Sequence, residues 1–126
     1  MSDKQILIYN ASAGSGKTFT LVKEYLKILL KSPSNDAYRN ILALTFTNKA
    51  VNEMKTRIVY YLVEFAKENP GKDAESMISV LSGETGINPQ QIHLKAKTIL
   101  LHLIHNYAAF DISTIDKFTH RIIRTF

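Results

Sequence analysis

The stretch that most constrains this chain is Ala-Ser-Ala-Gly-Ser-Gly-Lys-Thr at residues 11–18. An apolar run, Ile6–Tyr9, precedes it, and a helical pattern opens at about Lys17. Strand, glycine-rich loop and helix in that order form the setting of a phosphate-binding P-loop. Without a Cβ, Gly14 and Gly16 let main-chain N–H groups turn inward as an anion-binding nest. The helix that follows aims its unpaired first amides, and the positive end of its dipole, at the same place. The expected nucleoside-triphosphate site is Ala11, Ser12, Ala13, Gly14, Ser15, Gly16, Lys17, Thr18 and Phe19. Lys17 would reach the β- and γ-phosphates and the Thr18 hydroxyl would coordinate Mg²⁺, which makes these two the catalytic candidates. Ala11 stands where the pattern G-x-x-x-x-G-K-[ST] begins with glycine, and alanine serves there if the backbone keeps a negative φ. The competing reading, a chance match in a flexible loop, is weakened by the strand and helix on either side.

The rest of the chain continues the alternation. A helix is expected from Lys17 to Lys31, with Leu21, Val22, Tyr25, Leu26, Ile28, Leu29 and Leu30 on more than one face and Lys23, Lys27 and Lys31 toward water. Ser32–Asp36, with Pro33 inside it, reads as a loop. A second strand is expected over Ile41–Phe46 and a second helix over Asn48–Lys67, its period carried by Ala50, Val51, Met54, Ile58, Tyr61, Leu62 and Phe65. Glu53 and Arg57 form a favourable i,i+4 pair on it, and Asn69-Pro70-Gly71 ends it.

Residues 69–110 change character. Ala74–Ser82 reads as a short helix and Gly83–Asn88 as a connection. Asn88-Pro89 then reads as an N-cap followed by proline at the first helical position. The long helix after it is expected to reach Ala109, with Ile92, Ile99, Leu100, Leu103, Ile104 and Tyr107 inward. This pair interrupts the alternation, so it reads as a helical insertion between residues 1–68 and 111–126. A third strand is expected at Asp111–Ile115 and a last helix at Lys117–Thr125. The expected fold class is therefore α/β, a parallel sheet flanked by helices and joined by right-handed crossovers. Three strands are few for such a sheet, so the chain reads as the N-terminal piece of something larger.

Composition sets the outer limits. The 126 residues are 45 % hydrophobic, which is globular. No cysteine is present, so disulfides and thiolate metal sites are excluded, in keeping with a reducing cytosol. No run approaches the ~18 apolar residues of a membrane span, and Met1–Asn10 is no signal peptide. A soluble cytoplasmic protein with no membrane partner is expected. The net charge of +5 and pI near 9.5 fit a polyanionic partner or ordinary surface lysine equally well.

Two further segments carry chemistry. The second strand runs into Phe46, Thr47, Asn48 and Lys49. In a doubly wound sheet the carboxyl ends of the strands face the ligand crevice. There an aromatic face can stack on a base, while hydroxyl, amide and helix N–H groups hold phosphate, which is what single-stranded nucleic acid requires. The competing reading makes Phe46 a core residue and Thr47 or Asn48 an N-cap, and on residue types alone it is favoured. The segment Ile112–Phe118, followed by His120 and Arg121, repeats the layout. Thr114 can contact a phosphate, with Arg121 and Arg124 adding charge, or Ser113 or Thr114 can cap the helix. His102 and His105, spaced i,i+3, lack the companions a metal site needs and read as a packing or solvent face.

At these three segments the chain resembles the start of a UvrD/RecB-type superfamily 1 DNA helicase, nearest to the RecB/AddA helicase–nuclease branch. ASAGSGKT, LTFTNKAVNEMKTRI and DISTIDKFTHRIIR match motifs I, Ia and Ib in order, leaving out Asn69–Lys97. The resemblance implies a P-loop, RecA-like motor domain and 3′→5′ translocation on single-stranded DNA, driven by ATP and Mg²⁺ in DNA repair or recombination. It implies DNA contacts from Phe46, Thr47, Asn48 and Lys49 through motif Ia and from Thr114 and Asp116 through motif Ib. It also implies further motor domains of the same chain, with a nuclease domain and a partner subunit in the branch named. Many relatives have histidine at the position of Asp116. An ionised carboxylate donates no hydrogen bond, so capping of the last helix is the other role open to Asp116. No adenine-recognition motif precedes the loop. Hydrolysis needs an acidic pair at a strand end and arginines for the developing charge, and neither is found. These 126 residues are therefore expected to bind nucleotide and hydrolyse little by themselves. The alternatives are a small P-loop phosphotransferase, whose acceptor site and arginine-rich lid are not visible, and a non-catalytic nucleotide-binding module.

Overall fold

The computed structural model describes residues 5–8, 16–110 and 112–125, with the side chains of 5–8, 16–18, 42 and 125 outside that description. Its elements are β1 (Gln5–Ile8), α1 (Gly16–Lys31), β2 (Ile41–Thr45), α2 (Asn48–Phe65), α3 (Lys72–Thr85), α4 (Pro89–His105), β3 (Ile112–Thr114) and α5 (Ile115–Thr125). Single 3₁₀ turns at Ala37–Asn40 and Tyr107–Ala109 lead into β2 and β3. The strands form one parallel sheet in the order β1-β2-β3, with Ile8 opposite Leu44 and Thr45 opposite Thr114. The α/β parallel architecture read from the alternation is the one observed.

One core holds the unit together. Leu21, Val22, Tyr25, Leu26 and Leu29 of α1 meet Met54, Ile58, Leu62 and Phe65 of α2, with Ile41, Ala43 and Ile112 of the sheet beneath. The helices of residues 72–105 join that same cluster through Ala74, Met77, Leu81, Ile92, Ala96, Ile99 and Leu103. Surface ties reinforce the packing. Tyr38 donates from its hydroxyl to the His102 carbonyl at 2.9 Å, and Arg39 reaches the Asn106 side chain at 2.9 Å. Glu64 accepts from the Gly71 amide at 3.0 Å and pairs with Lys67, clasping the α2–α3 turn. Those partners, Lys67 first, hold its carboxyl below the usual glutamate range. Tyr60 donates to Asp73 across the same turn, and that bond pushes the phenol up to about 12.

Several expected boundaries and faces change. β2 stops at Thr45, leaving Phe46 outside the strand, and α2 stops at Phe65. α3 runs through Gly83, because a helical glycine costs only ~1 kcal/mol and burial of Met77 and Leu81 outweighs it. The chain turns instead at Gly86, whose φ of 78° suits glycine and whose amide donates to the Ser82 carbonyl. The Asn88 cap is present as a full capping box with Gln91, with Pro89 at the first helical position. α4 ends at His105, four residues short of Ala109, and Ile104 and Tyr107 point outward; Ile92, Ile99 and Leu103 are buried as expected. Lys23 and Lys27 do not face water alone. Both pair with Glu84 of α3, at 2.9 and 3.0 Å, and hold its carboxyl below the usual range. α5 begins at Ile115, two residues early. Tyr9 and Asp111, the outer ends of two expected strands, lie outside the described residues.

Candidate functional site

Parallel pairing puts the carboxyl ends of all three strands on one edge, and a helix departs from each. α1 opens at Gly16, α2 at Asn48 and α5 at Ile115. The first amides of each helix have no intrahelical partner, and each helix presents the positive end of its dipole there. The first turns of α1 and α2 contain no acidic residue. That fits an anion at either start, since a carboxylate in the first turn would compete for the same N–H groups. The α5 first turn does contain one, Asp116.

At the β2 end the local chemistry is well defined. Thr45 is buried, and its hydroxyl donates to the Thr47 carbonyl at 3.2 Å, which fixes the turn out of the strand. Thr47 has extended backbone angles (φ −129°, ψ 154°), and its hydroxyl oxygen accepts the Ala50 amide at 3.0 Å, so it is the N-cap of α2. Phe46 between them is 54 % exposed. Capping by Thr47 is therefore correct and a core role for Phe46 is not. Asn48 and Lys49 are exposed on the first turn of α2, and Asn48 is not the cap.

The β3 end repeats this device one strand over. Thr114 is buried, and its hydroxyl oxygen accepts the Lys117 amide at 3.1 Å, capping α5. The Ser113 hydroxyl donates to the Thr114 carbonyl at 3.1 Å. Capping by Asp116 is thereby corrected, because Thr114 occupies that role. The Asp116 carboxylate is 88 % exposed and lies 3.8 Å from the His120 ring nitrogen. A capping hydroxyl uses an oxygen lone pair and keeps its proton, so Thr47 and Thr114 can each cap a helix and still donate to a phosphate oxygen. With Thr45 opposite Thr114, adjacent strands at ~4.8 Å spacing bring both turns onto one patch.

Ala11, Ser12, Ala13, Gly14 and Ser15 lie outside the described residues, and Gly16, Lys17 and Thr18 are placed by backbone only, in the first turn of α1. Phe19 follows them with its ring partly exposed. Among the described residues no group of three or more His, Cys, Asp or Glu is arranged to hold a metal ion, His102 and His105 included. Sequence reasoning missed the positioning bond of Thr45 and the place of Lys117 beside His120, Arg121 and Arg124 on one face of α5. The spacing of Lys117 with Arg121 and Arg124 was the available signal.

A parallel sheet with a helix departing from the carboxyl end of each of its three strands defines an α/β class of domain. Within that class the chain belongs to the UvrD/REP helicase N-terminal domain family, which it matches over residues 1–126. It is 37 % identical over 116 residues to an ATP-dependent helicase/nuclease subunit of Listeria monocytogenes serotype 4a, covering 92 % of this chain and 7 % of that protein. It is 36 % identical over 115 residues to the RecBCD enzyme subunit RecB of Chlamydia trachomatis serovar D, covering 81 % of this chain and 11 % of that protein. An ATP-dependent helicase/nuclease subunit of Carboxydothermus hydrogenoformans is 31 % identical over 121 residues, 95 % of this chain and 8 % of that protein. The chain thus spans about a tenth or less of the length of these relatives. No solved structure matches it significantly.

Proposed function

We propose that this chain is the nucleotide-binding and strand-contacting part of an ATP-dependent DNA helicase or helicase–nuclease that acts in DNA repair or recombination. On this reading the sheet belongs to a P-loop, RecA-like motor domain, with residues 69–110 as its helical insertion. The observation that carries the reading is the pairing of Thr45 with Thr114, which joins exposed Phe46 and two capped helix starts in one patch. Membership of the UvrD/REP family supports it.

The roles divide along the edge. The loop from Ala11 to Gly16 with the first α1 amides would cradle ATP, Lys17 would neutralise the β- and γ-phosphates, and Thr18 would hold Mg²⁺. Mg²⁺ held there would supply charge stabilisation to the β- and γ-phosphate oxygens. At β2 the Phe46 ring would stack on a base, while Thr47, Asn48 and Lys49 hold the adjoining phosphates. Thr114 would donate to the next phosphate, and Asp116 would border the path. Hydrolysis, strand polarity and any nuclease step would draw on further domains of the same polypeptide and on a partner subunit. The relatives are themselves named as subunits.

The test is DNA-stimulated ATP hydrolysis by the whole protein. Lys17→Ala is expected to abolish turnover, and turnover retained in that variant would mean that the loop has been misread.

A further inference from the structure

α4 buries one face and leaves an ordered row on the other. Ile92, Ala96, Ile99 and Leu103 point into the core. On the opposite side Leu94, Leu101 and Ile104 are each more than half exposed, and Lys97 is exposed between them. Positions 94, 97, 101 and 104 alternate steps of three and four residues, the a and d pattern of a coiled-coil seam. Single exposed leucines are ordinary on a protein surface. Three aliphatic side chains in one row over ~15 Å of helix form a contact stripe instead. Charge is one-sided there. Residues 85–110 contain no aspartate or glutamate, while Lys97 stands within the row and Thr98 and His105 border it.

We propose that this face of α4 takes an acidic amphipathic helix of a partner protein, packed along the row as a coiled-coil seam with one of its carboxylates meeting Lys97. The inference does not depend on the nucleotide or single-strand readings, whose failure would leave it standing. Two features select the occupant. An ammonium enclosed in an apolar seam is costly unless a carboxylate meets it, so Lys97 sets both the charge of the partner and its register. The lack of acidic residues along α4 also spares glutamates beside the partner's apolar seam any like charge. A lipid surface fits less well. A membrane-seated helix turns its broad apolar face to the acyl chains, and in α4 that face is in the core. The place of α4 in the fold points to a partner in trans. It packs chiefly on α2, which itself touches β2 and β3, so its far side is an outer surface. Further strands would lengthen the sheet at its edges and leave that outer side open.

The experiment measures binding of a synthetic peptide to the whole protein by fluorescence anisotropy at low salt. The peptide has about four heptads, with leucine at a and d and glutamate at e and g. Repulsion among its glutamates keeps it from pairing with itself. Saturable binding is expected, with none for the counterpart that carries lysine at e and g. Lys97→Glu should reverse that preference. Leu101→Ser should weaken the acidic peptide about tenfold while keeping the thermal midpoint of wild type. No binding of the acidic peptide, or equal binding of both peptides, overturns the proposal. So does an affinity for the acidic peptide unchanged by Lys97→Glu or by Leu101→Ser. A thermal midpoint lowered by Leu101→Ser means that the polypeptide already covers this face itself, which overturns a partner in trans. Binding to phosphatidylglycerol vesicles that Leu101→Ser abolishes also overturns it, by assigning the face to a membrane surface.

Discussion

The carboxyl edge of the sheet and the α3–α4 pair are built on opposite plans. At the edge, a short polar sequence sets each position: Thr45 fixes the turn, Thr47 and Thr114 cap helices, and Phe46 stands out into solvent. In α3 and α4 a repeating apolar stripe supplies Met77, Leu81, Ile92, Ile99 and Leu103 to the shared core, while Leu101 and Ile104 remain 60 % and 61 % exposed. The edge concentrates hydrogen-bonding groups, whereas the helical pair concentrates apolar burial. Substitutions in the two regions should therefore separate, with ligand affinity lost at one and stability at the other.

The largest effect should come from the helical pair. Leu81 is fully buried, and Leu81→Ala is expected to lower unfolding free energy by ~2–5 kcal/mol, read by urea denaturation. A loss below ~0.5 kcal/mol would mean that α3 does not share the core. Next, Thr47→Ala removes the α2 cap and should cost ~1 kcal/mol of stability as well as weakening single-strand binding. Thr47→Ser should recover both, and a variant that loses stability alone would confine Thr47 to its structural role. Smaller still is the clasp of Lys23 and Lys27 on Glu84. Its carboxyl is held below the usual glutamate range in the folded chain, so its contribution is present above that range and fades as pH falls through it. Wild type should exceed Glu84→Gln in thermal midpoint at neutral pH and low salt, and the gap should close on acidification or with added salt. A gap constant in pH would deny the ion pair. Least of all, Leu101→Ser should leave stability within ~0.5 kcal/mol, because that side chain covers nothing in the core.

The caps at the edge were the more legible in the sequence, because a cap depends on residues within a few positions of one another. Asn88, Pro89 and Gln91 announce the start of α4 in the same local way. What was not legible required a partner from far along the chain. Lys23 and Lys27 show the spacing of a solvated face until α3 brings Glu84 to them. Ile104 and Tyr107 fit the α4 period, yet periodicity marks a stripe without saying how much of it neighbours will cover. For Phe46, residue types alone favoured a core role, and the stop of β2 at Thr45 sets it outside instead.

The central claim, that the sheet edge is the single-strand contact surface, is tested most directly by measuring oligothymidylate affinity of the whole protein with Phe46→Ala. The account predicts a loss of ~1–3 kcal/mol in binding with an unfolding midpoint equal to that of wild type. Unchanged affinity in a folded variant would contradict it.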